Sequence, residues 1–270
     1  MKYCIFLGGL GNQMFQYAFC VALREKGHKV KIDLSYYDYY KMHNGYELER
    51  VFGIKEDYIS ESGVHMLWLR ILNRFFPSYL CSDDREYSTS KLINPKKYLF
   101  GYWQNENYFS GVKPQLRSLF KFRNIDPVNL GIADQMDSVE SVSLHIRRGD
   151  YMDCGIDLMD EIYYQNAILK IKEMTSNPIF YIFSDDAVAA ERMASKMGIH
   201  YQLIQHNKGR DSYKDMFLMS KCHHNIIANS SFSWWGAWLN TNANKIVIAP
   251  KIWLSTSPSL RPQSKDWILV

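Results

Sequence analysis

The sequence has no Cys-x-x-Cys pair, no Asp-x-Asp triplet, no Gly-Lys-Ser/Thr after its glycine turn, and no long apolar run. Each absence removes a class of function. The five cysteines (Cys4, Cys20, Cys81, Cys154, Cys222) are odd in number and far apart, which excludes a disulfide framework or a zinc knuckle and points to a reducing compartment. The apolar opening is broken between Gly8 and Gln13 with no small-residue cleavage site after it, and no other stretch nears the ~18 apolar residues of a membrane span. The expectation is a cytoplasmic protein, resting at most on the inner face of a membrane. Net charge is only +4 and no stripe of Lys and Arg stands out, so nucleic acid is not an expected partner. The missing triplet removes the usual carboxylates for a divalent cation; the paired aspartates are Asp83-Asp84 and Asp185-Asp186.

What is present is an ordinary apolar balance, 47% hydrophobic over 270 residues, enough for one or two cores. The chain opens as a strand (2–7), a glycine turn (Gly8, Gly9, Gly11), a helix (13–26) and a strand (28–34), which is one α/β unit with a right-handed crossover. A tyrosine-rich loop (36–46), an apolar helix (64–76), a strand (98–103) and a helix (106–120) follow. The segment 124–137, with Pro127 and Gly131, reads as the domain junction. Strands at 141–146, 179–184, 200–204, 225–228 and 245–249 then alternate with helices at 161–174, 187–197, 212–222 and 232–239. Such alternation predicts mostly parallel, doubly wound sheets. The expected organisation is two Rossmann-like domains, 1–137 and 138–270, with the last segment packing back on the first and ligands between the two.

Four segments carry chemistry. In LHIRRGDY, a buried strand ends in Arg147, Arg148 and Asp150, where parallel sheets bind ligands. A guanidinium fork there matches two phosphate oxygens; the alternative is an arginine paired with Asp150. His145 on the same strand suits a core or hydrogen-bonding role better than a metal. In IIANSSFSWWGAWL, a strand runs through Ser230 and Ser231 into a helix, offering an anion site at the helix N-terminus, or plain capping by Ser231 or Ser233 over a tryptophan core. In YIFSDD, Asp185 can accept from guanine N1–H and N2–H, or cap the next helix with Asp186 in its first turn. The turn GGLGNQ lacks the third glycine of a dinucleotide fingerprint and the lysine of a phosphate loop; it brings Asn12 and Gln13 to the top of the first sheet.

Taken together, LHIRRGDY, GGLGNQMFQYA, YELERVF, GYWQNENYF, FSDD and NSSFSWWGAWL resemble the bacterial α1,2-fucosyltransferases of glycosyltransferase family 11, over nearly the whole chain. The resemblance implies a GT-B-like α/β fold of two Rossmann-type domains with mostly parallel sheets, a GDP-fucose donor held by the second half, a galactose-terminated glycan acceptor, and no cofactor or metal. It also implies roles. Arg147 binds the β-phosphate, supported by Arg148, with His145, Ser230 and Ser231 beside the diphosphate and Asp185 on guanine. Asn12 lies near fucose and acceptor. Asp150 is the nearest carboxylate for a base, with Asp153 and Asp157 on the following loop, although Asp150 could equally be an arginine partner. Tyr36 and Tyr37, with Tyr39 and Tyr40, form a candidate acceptor platform. The rivals are α1,6 transfer, a non-catalytic GDP- or glycan-binding protein on the same scaffold, and a sulfo- or phosphotransferase; the missing lysine argues against the last.

Overall fold

The computed structural model describes residues 1–38, 43–59, 87–147, 159–257 and 259–270, together with the backbone of 80–81. The expected helix at 64–76, the Asp83-Asp84 pair, Tyr39, Tyr40, Arg148, Asp150, Asp153 and Asp157 lie outside the described residues. The chain divides into two units: Met1–Arg123 with Ser259–Pro262, and Asn124–Pro258 with Gln263–Val270.

The first unit carries strands β1 (Lys2–Ile5), β2 (Val30–Asp33), β3 (Tyr58–Ile59), β4 (Leu80–Cys81) and β5 (Tyr98–Phe100) in the order β3-β2-β1-β5-β4. Every recorded pairing in this sheet is parallel. Helix α1 (Leu10–Glu25) connects β1 to β2 and is almost wholly buried, including Met14, Phe15, Ala18 and Phe19. Burying a side chain of that size contributes ~1.5–3 kcal/mol, so this one helix anchors the unit. Helix α2 (Leu48–Phe52) closes on Gly53, whose φ of 71° is the left-handed cap that glycine adopts without strain. The single helix expected over 106–120 is two pieces, a 3-10 stretch Glu106–Val112 and, beyond the one-turn α3 (Ser90–Ile93), helix α4 (Lys113–Leu119). The break has a cause: Pro114 lacks an amide hydrogen and sits in the first turn of α4, where that loss costs nothing.

The second unit holds α5 (Pro127–Asp137), β6 (Ser141–Ile146), α6 (Glu161–Lys172), β7 (Ile179–Ser184), α7 (Ala187–Lys196), β8 (Tyr201–Ile204), α8 (Tyr213–Lys221), β9 (His224–Ile226), α9 (Ser231–Leu239), β10 (Val247–Ala249) and β11 (Ile268–Leu269). The strands pair in parallel as β11-β10-β9-β6-β7-β8, the doubly wound order in which the chain winds one way from its first strand and then the other. The junction expected around 124–137 is instead helix α5, which packs with α8 in the second unit. The division therefore falls before this helix, at Arg123/Asn124, and not after it. Asp126 caps the helix, accepting from the Asn129 amide at 3.0 Å, and Pro127 opens it. Near the end of the chain, Ser259–Pro262 groups with the first unit, while β11 returns to pair with β10 in the second.

The core of the second unit lies between β6 and β7 and helices α6 and α7, around Leu144, Ile146, Ile168, Phe180 and Ile182. Behind the sheet, α9 buries Trp234, Trp235 and Trp238 against one another. Helix α8 approaches so closely that a Cβ on Gly236 would lie 2.8 Å from that of Met219. The tryptophans are core, as the plainer reading of that segment held.

Candidate functional site

In a doubly wound sheet the connections leave the two central strands in opposite directions, and a crevice opens at their carboxyl ends. In the second unit those strands are β6 and β9. Five sequence-predicted residues meet there. His145 is the next-to-last residue of β6 and is buried, while Arg147 follows the strand directly. Asp185 follows neighbouring β7, whose Ser184 is in register with Ile146. Ser230 lies between β9 and α9, and Ser231 opens α9.

Arg147 Nε stands 3.1 Å from Asp185 Oδ2, close enough for an ion pair though not aligned as a hydrogen bond. Both side chains are about one quarter exposed, at 25% and 23%. Among the described residues, Arg147 pairs with Asp185, which follows the adjacent strand. The helix cap that Asp185 could have supplied comes from Asp186, which accepts from the Ala189 amide at 3.0 Å. Division of labour follows: Asp186 serves the helix, and Asp185 is left to face the crevice with Arg147.

His145 carries a ring nitrogen, Nδ1, that is buried and has no hydrogen-bond partner among the described residues. Its ring lies 6.2 Å from that of Phe232, in the first turn of α9. Burial first, then the neighbouring Arg147 charge, push its pKa down to about 3. The imidazole is therefore neutral at ordinary pH, and an orphaned polar atom at that depth costs free energy unless something meets it. At the other wall, Ser230 caps α9: its Oγ accepts from the Phe232 amide at 3.3 Å. The cap is one residue before Ser231 and three before Ser233, the two serines the sequence suggested, and the helix directs its positive end into the same crevice.

A match to the profile of Glycosyl transferase family 11 runs over residues 73–268, including every residue of this crevice. The chain belongs to that family. An alpha-1,2-colitosyltransferase of Escherichia coli is 35% identical over 97% of this chain and 96% of its own length. The O-antigen biosynthesis glycosyltransferase WbnK of Escherichia coli is 32% identical over 98% and 99%. Among solved structures, the NodZ alpha-1,6-fucosyltransferase soaked with GDP-fucose superposes with a TM-score of 0.50 at 14% identity, covering 88% of this chain and 92% of its own. That likeness shows the fold, a GT-B-like pairing of Rossmann-type units. A family 11 protein is a glycosyltransferase, and this one keeps its charged groups at the switch point of the second sheet.

The first unit of this family 11 chain has its own switch point, between β1 and β5. Gly8 follows β1 with φ of 81°, and a Cβ there would meet Asn12 Nδ2 at 2.6 Å, so glycine is required twice over. Asn12 is half-buried and accepts from Gln104 Nε2 at 2.8 Å. Gln13, which the sequence placed toward a ligand, is fully buried and spent on the backbone. It donates to Gly8 O at 3.1 Å and Gly45 O at 2.8 Å and accepts from the Glu47 amide at 2.8 Å. The Tyr37 hydroxyl donates to Gly8 O at 2.7 Å, so its polar end holds the turn. Tyr36 is half-buried, its ring 5.7 Å from Phe100. Gln104, the partner of Asn12, was not among the residues singled out from the sequence; it lies just beyond a strand, in GYWQNENYF. Among the described residues no group of His, Cys, Asp and Glu is arranged to hold a metal ion. No described helix is long and apolar enough to cross a membrane.

Proposed function

We propose that this family 11 glycosyltransferase is an inverting fucosyltransferase that moves L-fucose from GDP-β-L-fucose to the 2-OH of a galactose. The observation that carries the proposal is the meeting of Arg147, Asp185, His145 and the N-terminus of α9 at one switch point. A nucleoside diphosphate needs positive charge at its phosphates and a hydrogen-bond acceptor at guanine, and this crevice supplies both. In transfer, the acceptor oxygen bonds to fucose C1 as the C1–O bond to the β-phosphate breaks. The hydroxyl proton passes to a base or to water, and GDP leaves. Inversion turns the β-linked donor into an α-fucoside through an oxocarbenium-like state. Negative charge grows on the departing β-phosphate, where Arg147 and the α9 dipole stabilise it more than they stabilise the bound donor. Ser230 and Ser231 hold the diphosphate in this reading, and Asp185 reads guanine. Arg148 backs Arg147, and Asp150 is the candidate base. Fixed cationic and dipolar groups take the place that a metal ion fills in other transferases, so no metal is needed.

A second donor is favoured by one specific observation, the colitosyl activity in the name of a 35% identical relative. Colitose is fucose without its 3-OH, so the two donors share every group that the crevice is proposed to hold. The reading extends to location. The transfer is cytoplasmic, onto a lipid-linked surface-glycan unit at the inner face of the membrane, as the O-antigen role in the name of the second relative suggests.

The test is GDP release from GDP-fucose and from GDP-colitose with galactose-terminated disaccharides, with and without EDTA, followed by linkage analysis of the product. An EDTA-resistant α1,2-fucoside is expected. Colitosyl transfer alone would reassign the donor, and EDTA-sensitive turnover would sink the arginine-for-metal argument. GDP binding without turnover on any acceptor would favour a binding protein.

A further inference from the structure

We infer that Asn12 and Gln104 together form a hydroxyl-reading subsite for the acceptor sugar, with Tyr102 as its stacking face. The inference rests on the transferase reading above and deepens it. It starts from topology. Asn12 lies in the first turn of α1, beyond β1, and Gln104 lies beyond β5, so the pair spans the two strands that flank the first sheet's switch point. Ligands of open α/β sheets bind at that place.

The hydrogen-bond accounting then defines what can bind. Gln104 Nε2 donates to Asn12 Oδ1 at 2.8 Å, and neither side chain has another hydrogen bond to the described residues. A side-chain amide has two donors and a carbonyl. The pair therefore leaves Asn12 Nδ2 as a donor and, on Gln104, the Oε1 acceptor and the second Nε2 hydrogen, with the two amides held together by their own bond. Turning both amides over presents the same functions in exchanged positions. A donor beside an acceptor is the complement of two neighbouring hydroxyls, each of which both gives and takes a hydrogen bond. Both groups are uncharged, which suits a neutral sugar and gives no grip on a phosphate.

The surroundings fit a pyranose. Tyr102, two residues before Gln104, keeps 37% of its surface exposed. Aromatic rings stack on the apolar face of a sugar. Trp103 fixes the segment from below: it is fully buried and stacks on Phe19 of α1 with centroids 4.2 Å apart and planes at 9°. Its φ of 56° is a left-handed backbone in a bulky residue. Such strain persists only where the surroundings enforce it, and it commonly marks functional positions. The consequence is that Gln104 is aimed by a rigid backbone. On the other side, Gln16 donates to Gly101 O at 3.0 Å and to Leu7 O at 3.2 Å, tying the end of β5 to the glycine turn. The subsite is thereby held from both strands by buried hydrogen bonds.

The test compares wild type with Gln104→Ala and Gln104→Glu. Saturation-transfer NMR with methyl β-galactoside, without donor, reads sugar binding directly, and GDP calorimetry reads the other site. Expected are loss of the galactoside signal in Gln104→Ala, about a tenfold rise in acceptor KM, and unchanged GDP affinity and Tm. In Gln104→Glu the Asn12 amide turns to donate to the carboxylate, which removes the outward donor; the same loss is expected without loss of fold. Deoxy-galactosides locate the contact: the analogue lacking a read hydroxyl binds wild type as weakly as Gln104→Ala binds the parent sugar. An undiminished signal and KM in both variants would overturn the subsite. A wild type that binds galactoside but releases no GDP from either donor would instead overturn the transferase reading and leave the subsite standing. A fall in Tm and GDP affinity matching the KM change would reduce Gln104 to a structural residue.

Discussion

The two sheets solve one topological problem with opposite chemistry. Each is parallel, each has a switch point beside its first strand, and each is entered by a loop leading to a buried helix. The second sheet furnishes that point with a guanidinium, a carboxylate, a neutral histidine and a helix terminus. The first furnishes it with two amides and an exposed tyrosine. The contrast teaches that the fold supplies the location and the side chains choose the ligand. Charged, dipolar groups suit a leaving diphosphate, whose charge changes during transfer. Neutral amides suit a polyol, whose charge does not.

The sharpest way to break the contrast is at Arg147. Arg147→Ala is expected to lower kcat by roughly a hundredfold or more, the effect typical of losing one preorganised transition-state contact, ~3 kcal/mol. Arg147→Lys keeps the charge and loses the fork, so it should recover only part of that rate. An unchanged kcat with a lower Tm would make the residue structural.

A smaller effect is expected at the glycines, and there the sign separates site from scaffold. Gly8→Ala places a Cβ 2.6 Å from Asn12 Nδ2 at φ of 81°. It should cost about 1–2 kcal/mol in thermal unfolding and disturb acceptor binding through Asn12. Gly131→Ala, inside α5 with nothing within 4 Å of the new Cβ, should instead stabilise by roughly 0.5–1 kcal/mol. Equal effects at both positions would remove the special status of the turn.

A further expected effect is one of pH, in a buried polar network of the second unit. Asn207 donates to Asp215 Oδ1 at 2.8 Å and bonds Asn129, which also meets His206. Nearby, Lys214 pairs with Asp126 and Asp211 at 2.9 Å each. Burial pushes the Asp215 carboxyl up to about 7, against the Asn207 bond that lowers it. From about 4, the ordinary carboxylate value, to the raised value, the folded chain holds a proton that the unfolded chain has lost. Stability from this group therefore falls as pH rises through that window. His145 acts in the opposite sense: its depressed pKa makes folding less favourable as pH falls below about 6.5, its ordinary value. Melting curves from pH 4 to 8 should show Asp215→Asn losing the decline toward neutral pH while keeping the acid limb. An unaltered profile would place the proton elsewhere.

The strands of the second sheet were legible because buried parallel strands read as short apolar runs: 141–146 and 179–184 agree to the residue. Helix α5 was not, because Pro127 and Gly131 read as breakers. Behind Asp126, Pro127 is a start signal, and one exposed glycine does not stop a helix. The crevice was legible as a place, since Arg147 and Asp185 both end strands. Its pairing was not, because strand order decides that β6 neighbours β7 and β9, and order is not written in local periodicity. Gln13 shows the same limit. Its amide looked available until the fold brought Gly45 and Glu47, more than thirty residues away, against it.

The central claim is that Arg147 meets the β-phosphate of a guanosine diphosphate. Calorimetric titration of wild type and Arg147→Ala with GDP and GMP, in EDTA, tests it most directly. The account predicts that wild type binds GDP more tightly than GMP by about tenfold or more, as expected for a charge-assisted contact, and that Arg147→Ala nearly abolishes this preference. An equal preference for GDP in both proteins would contradict it.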